Sequence, residues 1–398
     1  MRRREFLAAV GAAALLARVA QAESLPADLK VTRIIGFDLR TRRSKIAGKN
    51  SQLGVHGDAS GDRMVRLFTN LGVEGLGNCR ANKEALAGLL GKNPFQGLDL
   101  SSRQMPGLGS QTMPLWDLAG KLLKKPVYAL LGSQGSSQVP VYDGSIYFAD
   151  LLPQYSARWK DRFKEEIDAG LHAGHRAFKI KIGRGSKWMD RAAGDARDVE
   201  VVEVIRRHAG NDVLLGMDAN NGYDLEGAKR FLERAGGLGL AWIEEPFPEQ
   251  VQQCLDLKRF VAQHGWKTLL ADGETQGTLD VFRPFIEAKA IDVLQADMNA
   301  FGIEGILREA AMAKPQGLLV APHNWGSLIG FYLQLHVGRA ATNFYRAEHD
   351  PLTSEILIAE GYKIDGGRCS IPDAPGFGLA VREEPFRRAK INFDLRGP

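Results

Sequence analysis

AFKIKIG, residues 177–183, places two lysines one residue apart inside an apolar, strand-like run. Because side chains alternate between the two faces of a strand, Lys179 and Lys181 share one face while Ile180 and Ile182 point the other way. A solvated face of an antiparallel sheet could carry such a pair. The alternative is a polar site that both lysines enter, and the rest of the chain decides between the two.

A repeating unit surrounds this stretch. From about residue 140 an apolar strand, a polar tip and an amphipathic helix such as RDVEVVEVIRRHAG (197–210) or LEGAKRFLERAG (225–236) recur in that order, with a glycine suited to a C-cap at the helix end. This order predicts an α/β barrel with parallel strands. The eight predicted strands read VPVYDGSIYF (139–148), AFKIKIG (177–183), VLLGMDANN (213–221), LAWIEEP (240–246), TLLADGE (268–274), IDVLQADMN (291–299), LLVAPHNW (318–325) and NFYRAEHD (343–350).

Residues 28–138 lack this repeat and are predicted to form a separate N-terminal domain. The domain begins with the strand-like KVTRIIGFDLR (30–40), and its Gly-rich stretches AGKNSQLGVHG (47–57) and GLGNCRAN (75–82) are predicted to be mobile loops. The barrel is assigned to residues 139–365. Residues 366–398 are predicted to return to the N-terminal domain.

The first 22 residues have the pattern of an export signal. Arg3 and Arg4 precede an apolar segment that ends in Ala20-Gln21-Ala22, a small-x-small cleavage site. We expect Tat export to the periplasm, with cleavage after Ala22. A membrane anchor is the alternative, but the apolar segment is short and interrupted by Arg18.

Charge and cysteine content exclude several classes of function. Loss of residues 1–22 removes four arginines and one glutamate, so the formal charge falls from +5 to +2. A nearly neutral protein without a basic patch is not expected to bind nucleic acid, and no other segment is apolar enough to span a membrane. Three scattered cysteines, Cys79, Cys254 and Cys369, cannot form a complete disulfide framework.

Three neighbouring strands end in carboxylates, Asp218, Glu244 and Glu274. The carboxyl ends of barrel strands lie at one mouth, so these groups are expected to converge, and converging carboxylates require a cation. An all-oxygen set favours Mg²⁺, since the tips lack the cysteine and histidine typical of zinc sites. Asn220 is expected beside the metal or the substrate.

The next two strands end in Asp297 and His323, which are expected to pair so that the aspartate orients the imidazole. We predict that Lys181 and His323 are two bases on either side of the metal, and that Lys179 helps to neutralise a bound carboxylate. A metal between two bases suits removal of a proton next to a carboxylate, through an enediolate.

Each piece alone has a structural explanation. Glu244-Glu245-Pro246 could begin a helix, His323 could be a hydrogen-bonded core histidine, and Asp297 could cap a helix. For these structural explanations all to hold, the residues at successive strand tips would have to match the pattern of an active site by chance.

Asp272 shares a face with Glu274 but lies deeper in the strand, so we interpret it as structural. The sequence does not decide whether it also contacts the metal.

The chain resembles the enolase superfamily in a set of motifs that occur in the expected order. They are KIK, DANN, WIEEP, DGE, the Asp of QADM, the His of PHNW and the closing IPDAPGFGL. Within it they are most similar to the mandelate racemase/muconate lactonizing enzyme family and its mandelate racemase-like subgroup, which includes acid-sugar dehydratases. The resemblance spans nearly the whole chain after the export signal. It implies a modified (β/α)₇β TIM barrel without the last helix, and an α+β N-terminal capping domain completed by the C-terminal tail.

The resemblance also implies roles for single residues. Asp218, Glu244 and Glu274 correspond to the Mg²⁺ ligands, with Glu245 excluded, while Lys181 and the His323–Asp297 pair correspond to the bases. Glu348 corresponds to the group that hydrogen-bonds the substrate carboxylate. Further expected substrate contacts are Asn220, Ser145 and Trp325.

Two departures from the family pattern bear on specificity. After Asp297 the chain reads MNAFGI where many relatives have a lysine and paired glycines, so Asn299 and Phe301 affect the shape of the substrate site. The segment GRGSKWMDRAAGDARD (183–198) is long, and could add to the site or to contacts in the homo-oligomer that we expect.

Three functions fit these residues. The first is dehydration of a sugar acid to a 2-keto-3-deoxy acid, and the second is racemisation or epimerisation of a 2-hydroxy or sugar acid. The third is metal-dependent binding of a carboxylate without turnover, which the intact set of bases argues against. Dehydration is favoured, and the substrate in each case is a small carboxylate.

Overall fold

The structure is a computed structural model that describes residues 24–105 and 108–397. The predicted export signal, residues 1–22, lies outside the described residues. No helix within these two ranges is long and apolar enough to cross a bilayer.

The described residues form seventeen strands and eleven α-helices, joined by turns and short 3₁₀ segments. The strands are β1 (Val31–Ala47), β2 (Gly57–Thr69), β3 (Glu74–Asn78), β4 (Gln138–Ile146), β5 (Ala177–Lys181), β6 (Leu214–Asp218), β7 (Leu240–Glu244), β8 (Leu269–Asp272), β9 (Val293–Leu294), β10 (Leu319–Val320), β11 (Ala347–His349), β12 (Leu352–Thr353), β13 (Leu357–Ile358), β14 (Lys363–Asp365), β15 (Arg368–Ser370), β16 (Ala380–Val381) and β17 (Lys390–Arg396). The helices are α1 (Lys83–Ala87), α2 (Met113–Leu122), α3 (Val127–Leu130), α4 (Trp159–His172), α5 (Arg191–Ala209), α6 (Leu225–Ala235), α7 (Val251–Gln263), α8 (Arg283–Ala288), α9 (Met298–Ala313), α10 (Leu328–Ala340) and α11 (Glu383–Phe386).

The N-terminal region is built on an antiparallel sheet in which β1 pairs with β2 and β2 with β3. The other edge of β1 pairs with two later strands, β17 along its first half and β12 near its end. The long β1 therefore joins both ends of the described chain in one sheet, which we call the capping sheet.

The barrel consists of eight parallel strands. Strands β4 to β10 pair in sequence order, and β11 pairs in parallel with β4. A parallel bridge between Val320 and Phe344, just before β11, closes the ring. Seven helices, α4 to α10, connect the strands, and after β11 the chain passes directly to β12 on the capping sheet. The predicted (β/α)₇β barrel without a last helix is confirmed.

Alternation along the strands separates two apolar layers. Outward side chains such as Phe178 and Ile180 pack in the large core beneath the helices. Inward side chains form a smaller cluster in the barrel interior that includes Tyr142, Trp242 and Ala271. The polar strand tips lie above this inner layer, so the barrel is filled below its mouth.

Strands β8, β9 and β10 are shorter than predicted. They end at Asp272, Leu294 and Val320, so Glu274, Asp297 and His323 lie in the loops that follow. Asp297 and His323 still form an isolated parallel bridge. The loops therefore continue the strand directions far enough to hold these side chains at the barrel mouth.

The prediction that GLGNCRAN (75–82) is a mobile loop is wrong in its first half. Residues Gly75 to Asn78 lie in β3. The glycines are required there because α2 packs directly on the strand: a Cβ at Gly75 would lie 2.1 Å from the carbonyl oxygen of Pro114, and one at Gly77 would lie 2.6 Å from a carbon of Met113. The glycines serve close packing, not a turn.

Contacts of α9 fasten the capping region to the barrel. The carboxylate of Glu304 accepts hydrogen bonds from the Thr112 hydroxyl, the Trp116 indole and the Met105 amide. Two residues earlier, Gly302 has a φ of 65° and interrupts the helix. A Cβ at Gly302 would lie 1.7 Å from the carbonyl oxygen of Ser110.

We expect Gly302→Ala to lower the free energy of unfolding by about 1–3 kcal/mol, because alanine is strained at this φ and overlaps Ser110. Urea denaturation of the purified protein measures the effect. Gly277→Ala is the matched control, since a Cβ there meets nothing within 4 Å. Equal stability of the two variants would contradict the close contact between α9 and the capping region.

Candidate active site

Three carboxylates converge at the barrel mouth. Asp218 and Glu244 are the last residues of β6 and β7, and Glu274 lies two residues beyond β8. Each offers one oxygen, and these oxygens lie within 4.8 Å of one another. No other group of three His, Cys, Asp or Glu residues in the described ranges could hold a metal ion in this way. We call these three residues the carboxylate triad.

Both lysines of KIKIG point into this site. The Lys179 Nζ lies 2.6 Å from Glu244 Oε1, 2.8 Å from Glu348 Oε1 and 3.1 Å from Asp218 Oδ2. The Lys181 Nζ donates to Asp218 Oδ2 at 2.5 Å and to the side-chain oxygen of Asn220 at 2.8 Å. The two lysines share a strand face because that face meets buried carboxylates.

Asp297 and His323 form the predicted pair. Asp297 Oδ2 lies 2.8 Å from His323 Nδ1, while its other oxygen accepts a hydrogen bond from Ala300 N and caps α9. The aspartate therefore both caps a helix and orients the imidazole. The other ring nitrogen, Nε2, lies 3.4 Å from Glu274 Oε2. Burial alone lowers the pKa of His323, but Glu274 and Asp297 outweigh it and raise the pKa to about 10.

Glu348 is the central residue of β11 and faces the same interior. Its Oε1 contacts Lys179, and its Oε2 accepts a hydrogen bond from the Asn324 amide at 2.8 Å. Burial raises the pKa of Glu348, but the charges of Lys179 and His323 lower it by more. The pKa of Glu348 is therefore below its usual value. A Cβ at Gly144 would lie 2.4 Å from Oε1, so a glycine on β4 makes room for this carboxylate.

The site carries more negative than positive charge. Burial, together with neighbouring carboxylates, raises the pKa of Glu244 to about 8, although Lys179 acts in the opposite direction. Glu274 Oε2 accepts no hydrogen bond from the described residues, although His323 Nε2 lies 3.4 Å from it. A carboxylate oxygen without a hydrogen bond, within an all-oxygen triad, fits a hard divalent cation.

Two further carboxyl groups lie beside the triad but not in it. Glu245 has a φ of 40°, which turns its side chain toward Asn220 Nδ2 at 3.1 Å. Burial, followed by the charges of Glu274 and Asp218, raises the pKa of Glu245 to about 11. Asp272 is buried, its Oδ1 has no hydrogen-bond partner among the described residues, and burial raises its pKa well above the usual value.

Sequence reasoning missed two groups that hold Glu244. The Trp242 indole and the Gln295 amide donate to Glu244 Oε2 at 3.2 and 2.9 Å. Both could have been found from strand periodicity, because Trp242 lies two residues before Glu244 and Gln295 two before Asp297. Gly216 makes room for the indole, since a Cβ there would lie 1.9 Å from the Trp242 ring.

Asn220 links the triad to the loop between β1 and β2. Its Nδ2 lies 3.3 Å from Glu274 Oε1, and its backbone oxygen accepts hydrogen bonds from Ser51 Oγ and Gln52 Nε2 at 2.9 and 3.0 Å. The position has a φ of 40°. This loop, predicted as mobile, is thus hydrogen-bonded to the tip of β6.

The long segment 183–198 holds the same loop from the other side. The Trp188 indole donates to Asn50 O at 2.6 Å, and the Lys187 ammonium donates to Gln52 O at 2.7 Å. The extra length noted in the sequence therefore supports the loop that is hydrogen-bonded to the tip of β6. No local pattern identifies these partners, which lie more than 130 residues apart in the chain.

Trp325 lies near the site and Ser145 does not face it. The Trp325 ring stacks on Tyr147 with 4.5 Å between ring centroids, and the Tyr147 ring centroid lies 5.1 Å from the Lys181 Nζ. The Ser145 hydroxyl instead donates to Asp143 at 2.5 Å. Ordinary alternation along β4 accounts for this, because Gly144 faces Glu348 in the interior and Ser145 shares the opposite face with Asp143, away from the expected substrate contact.

Known proteins with similar sequences include sugar-acid dehydratases and cycloisomerases. A family model described as Enolase C-terminal domain-like matches residues 162–385. Arabinonate dehydratase of Saccharolobus solfataricus is 30% identical over 288 residues, which cover 71% of this chain and 72% of that one. D-galactarolactone cycloisomerase of Agrobacterium fabrum is 28% identical over 303 residues, which cover 72% and 74%.

A solved structure matches over most of its length. Galacturonate dehydratase of a Geobacillus species, complexed with D-galacturonate and 5-keto-4-deoxy-D-galacturonate, has a TM-score of 0.84 and 32% identity, and the match covers 92% of this chain and 97% of that one. A variant of that enzyme was solved with magnesium. The family model covers more than half of the chain, and the triad, the lysine pair and the His–Asp pair stand in the order that the resemblance implied. This chain therefore belongs to the enolase superfamily of enzymes, in its mandelate racemase/muconate lactonizing enzyme family.

Proposed function

We propose that this protein is a Mg²⁺-dependent dehydratase of a sugar acid, which removes the proton next to the carboxylate and the β-hydroxyl group to give a 2-keto-3-deoxy acid. The observation that carries the proposal is the placement of two basic groups, Lys181 and His323, against different members of the carboxylate triad. One group contacts Asp218 and the other lies beside Glu274.

Each base has a distinct orientation. Lys181 is held by Asp218 and Asn220, which occupy two of the three positions around its Nζ. His323 presents Nε2 to the mouth because Nδ1 is directed to Asp297. Two such groups can transfer protons at neighbouring carbons or at opposite faces of one carbon.

Dehydration uses them in sequence. Lys181, in its neutral form, accepts the proton of the carbon next to the carboxylate, and the electrons of that C–H bond form an enediolate. The C–O bond at the β-carbon then breaks, and His323, in its protonated form, donates the proton with which the hydroxyl leaves as water. The resulting enol loses its hydroxyl proton and takes up a proton at the β-carbon to give the keto acid.

The carboxylate triad would hold the metal. Bound there, Mg²⁺ would supply the positive charge that stabilises the enediolate. Lys179, buried among Glu244, Glu348 and Asp218, adds a fixed positive charge next to this position. Glu348, whose two oxygens contact Lys179 and the Asn324 amide, stays a predicted substrate contact.

Racemisation or epimerisation is the second candidate function. It is favoured by the same pair of bases, since a proton removed by one can be replaced on the opposite face by the other. Simple binding without turnover is disfavoured because neither base is missing.

The predicted assembly into a homo-oligomer and the predicted domain bounds stay predictions.

The metal proposal makes a first prediction. Chelation with EDTA should abolish turnover and added Mg²⁺ should restore it, because without the metal the site lacks the charge that would stabilise the enediolate. Calorimetric titration with Mg²⁺ provides a second readout, and Asp218→Asn should weaken binding by roughly tenfold or more. The control is Asp365→Asn, an exposed carboxylate on β14. Full activity in chelator would refute the metal proposal.

A second prediction separates dehydration from racemisation. A library of sugar acids is screened for 2-keto acid formation, and substrates are then incubated in D₂O. Dehydration should yield a keto acid, whereas racemisation should place deuterium next to the carboxylate without loss of water. Lys181→Ala and His323→Asn should each lower the rate by roughly 10²-fold or more. Turnover close to wild type in both variants would show that these residues are not the bases.

A third prediction concerns export, which we propose from the twin-arginine pattern of residues 1–22. Fused to a reporter that requires Tat transport, residues 1–23 should deliver it to the periplasm. Replacing Arg3 and Arg4 by lysine should stop delivery, while Arg18→Lys serves as the control. Retention of the unmodified fusion in the cytoplasm would remove the proposal.

A further inference from the structure

A polar cavity of about 590 Å³ lies between the capping sheet and the loops that follow β9 and β10. The sheet contributes Ser60 and Asn78, and the barrel contributes Asn299 and Trp325. Hydroxyl, amide and guanidinium groups dominate its lining. Its chemistry suits a hydrophilic ligand more than an apolar one.

The cavity adjoins the proposed catalytic groups. Asn299 follows Asp297 by two residues, and Trp325 follows His323 by two residues. Trp325 also stacks on Tyr147, whose ring faces the Lys181 ammonium. A substrate that reacts between Lys181 and His323 can therefore extend into this space with the end that does not react.

Two buried acceptors in the lining have no donor. The amide groups of Asn78 and Gln111 donate to Asn299 Oδ1 and Asn299 O at 3.0 and 2.9 Å. Their own side-chain oxygens have no hydrogen-bond partner in the described structure, although the residues are only 4% and 6% exposed. A buried acceptor without a donor is costly, and hydroxyl groups of a ligand would satisfy it.

Arg80 brings a positive charge to the same cavity. It is exposed and makes no ion pair with any residue that the structure describes. Asp62, also in the lining, already accepts hydrogen bonds from the Ser327 hydroxyl and from the amides of Leu328 and Ile329.

The lining contains two other arginines, of which one is ion-paired and one, within the described part of the chain, is not. Arg43 is committed to Asp350, with two contacts of 2.5 and 2.8 Å. Arg63 is exposed, belongs to β2 and is likewise without an ion pair in the described ranges. Burial raises the pKa of Asp62 and the charge of Arg80 acts in the opposite direction, but no carboxylate of the lining forms an ion pair with Arg80 or Arg63 among the residues described.

We infer that this cavity binds the far end of the substrate, and that Arg80 selects a sugar acid with a second carboxylate at that end, a polyhydroxylated dicarboxylate. The inference rests on the proposed function, which places the reacting carboxylate at the triad. The middle hydroxyl groups would donate to Asn78 and Gln111. The guanidinium of Arg80 would bind the second carboxylate through charge-assisted hydrogen bonds, which a hydroxymethyl group cannot replace.

Matched pairs of substrates test the inference. An aldonate and the aldarate of the same configuration differ only in a hydroxymethyl or a carboxylate group at the far carbon. We expect wild-type kcat/KM to be roughly tenfold or more higher for the aldarate of the reactive pair. Arg80→Gln should remove that preference, mainly through KM, and leave the aldonate within about twofold of wild type. Arg80→Lys should keep part of the preference.

Two further variants control for position and charge. Arg40→Gln also removes an exposed arginine without an ion pair from the capping sheet, but Arg40 does not line this cavity. It should leave both substrates unchanged. Arg63→Gln should reduce the preference less than Arg80→Gln if Arg80 makes the direct contact. Thermal unfolding should be the same for the Arg80 and Arg40 variants, because both side chains are exposed.

Binding and turnover distinguish the two proposals. If sugar acids are dehydrated but Arg80→Gln affects aldarate and aldonate equally, the inference is wrong and the proposed function stands. If no sugar acid reacts, calorimetric titration with aldarates still tests the subsite. A loss of affinity of roughly tenfold in Arg80→Gln and not in Arg40→Gln would then support the inference while the proposed function fails. Unchanged affinity would overturn the inference.

Discussion

The mutual repulsion of Asp218, Glu244 and Glu274 is the constraint on which the rest of this structure depends. Three carboxylates within 4.8 Å cannot all be charged in a buried mouth unless cations oppose them. The paired lysines of β5 supply part of that opposition, but they contact Glu244 and Asp218, and Glu274 Oε2 accepts no hydrogen bond from the described residues. The two lysines in the apolar strand β5 are therefore required by the triad.

The same constraint explains the layer beneath the site and the cover above it. Electrostatic interactions are strong only where water is excluded, and Trp242 excludes it from below while donating a hydrogen bond to Glu244. From above, Ser51 and Gln52 bind the backbone oxygen of Asn220, whose side chain contacts both Lys181 and Glu274. A hydrogen-bonded path thus runs from the capping region to a proposed base. We interpret Asn220 as a positioning residue as well as a predicted substrate contact.

Local patterns were sufficient for the barrel and for the triad because both depend on short-range rules. Strand periodicity places Lys179 with Lys181, and parallel strands bring Asp218, Glu244 and Glu274 to one mouth. The same periodicity places Ser145 with Asp143 on the face opposite Gly144 and Glu348, so the expected substrate contact of Ser145 went against it. Glycine content misled at residues 75–78, because close packing and turns use the same residue. Contacts such as that of Trp188 with Asn50 join segments that are far apart in the chain, and local sequence patterns do not predict them.

Reacting and selecting groups come from different parts of the fold. Lys181 ends β5, and Asp297 and His323 follow β9 and β10, so strand pairing fixes their separation, whereas Arg80 follows β3 on the capping sheet. A change at Arg80 leaves the strands and the triad untouched, so the preferred far end of the substrate can change without altering the proton-transfer geometry. The reverse does not hold, because displacement of Asn220 would disturb both Lys181 and the loop that Ser51 anchors. Substrate preference is for this reason the more adaptable property of the molecule, and the proton-transfer geometry is the more constrained one.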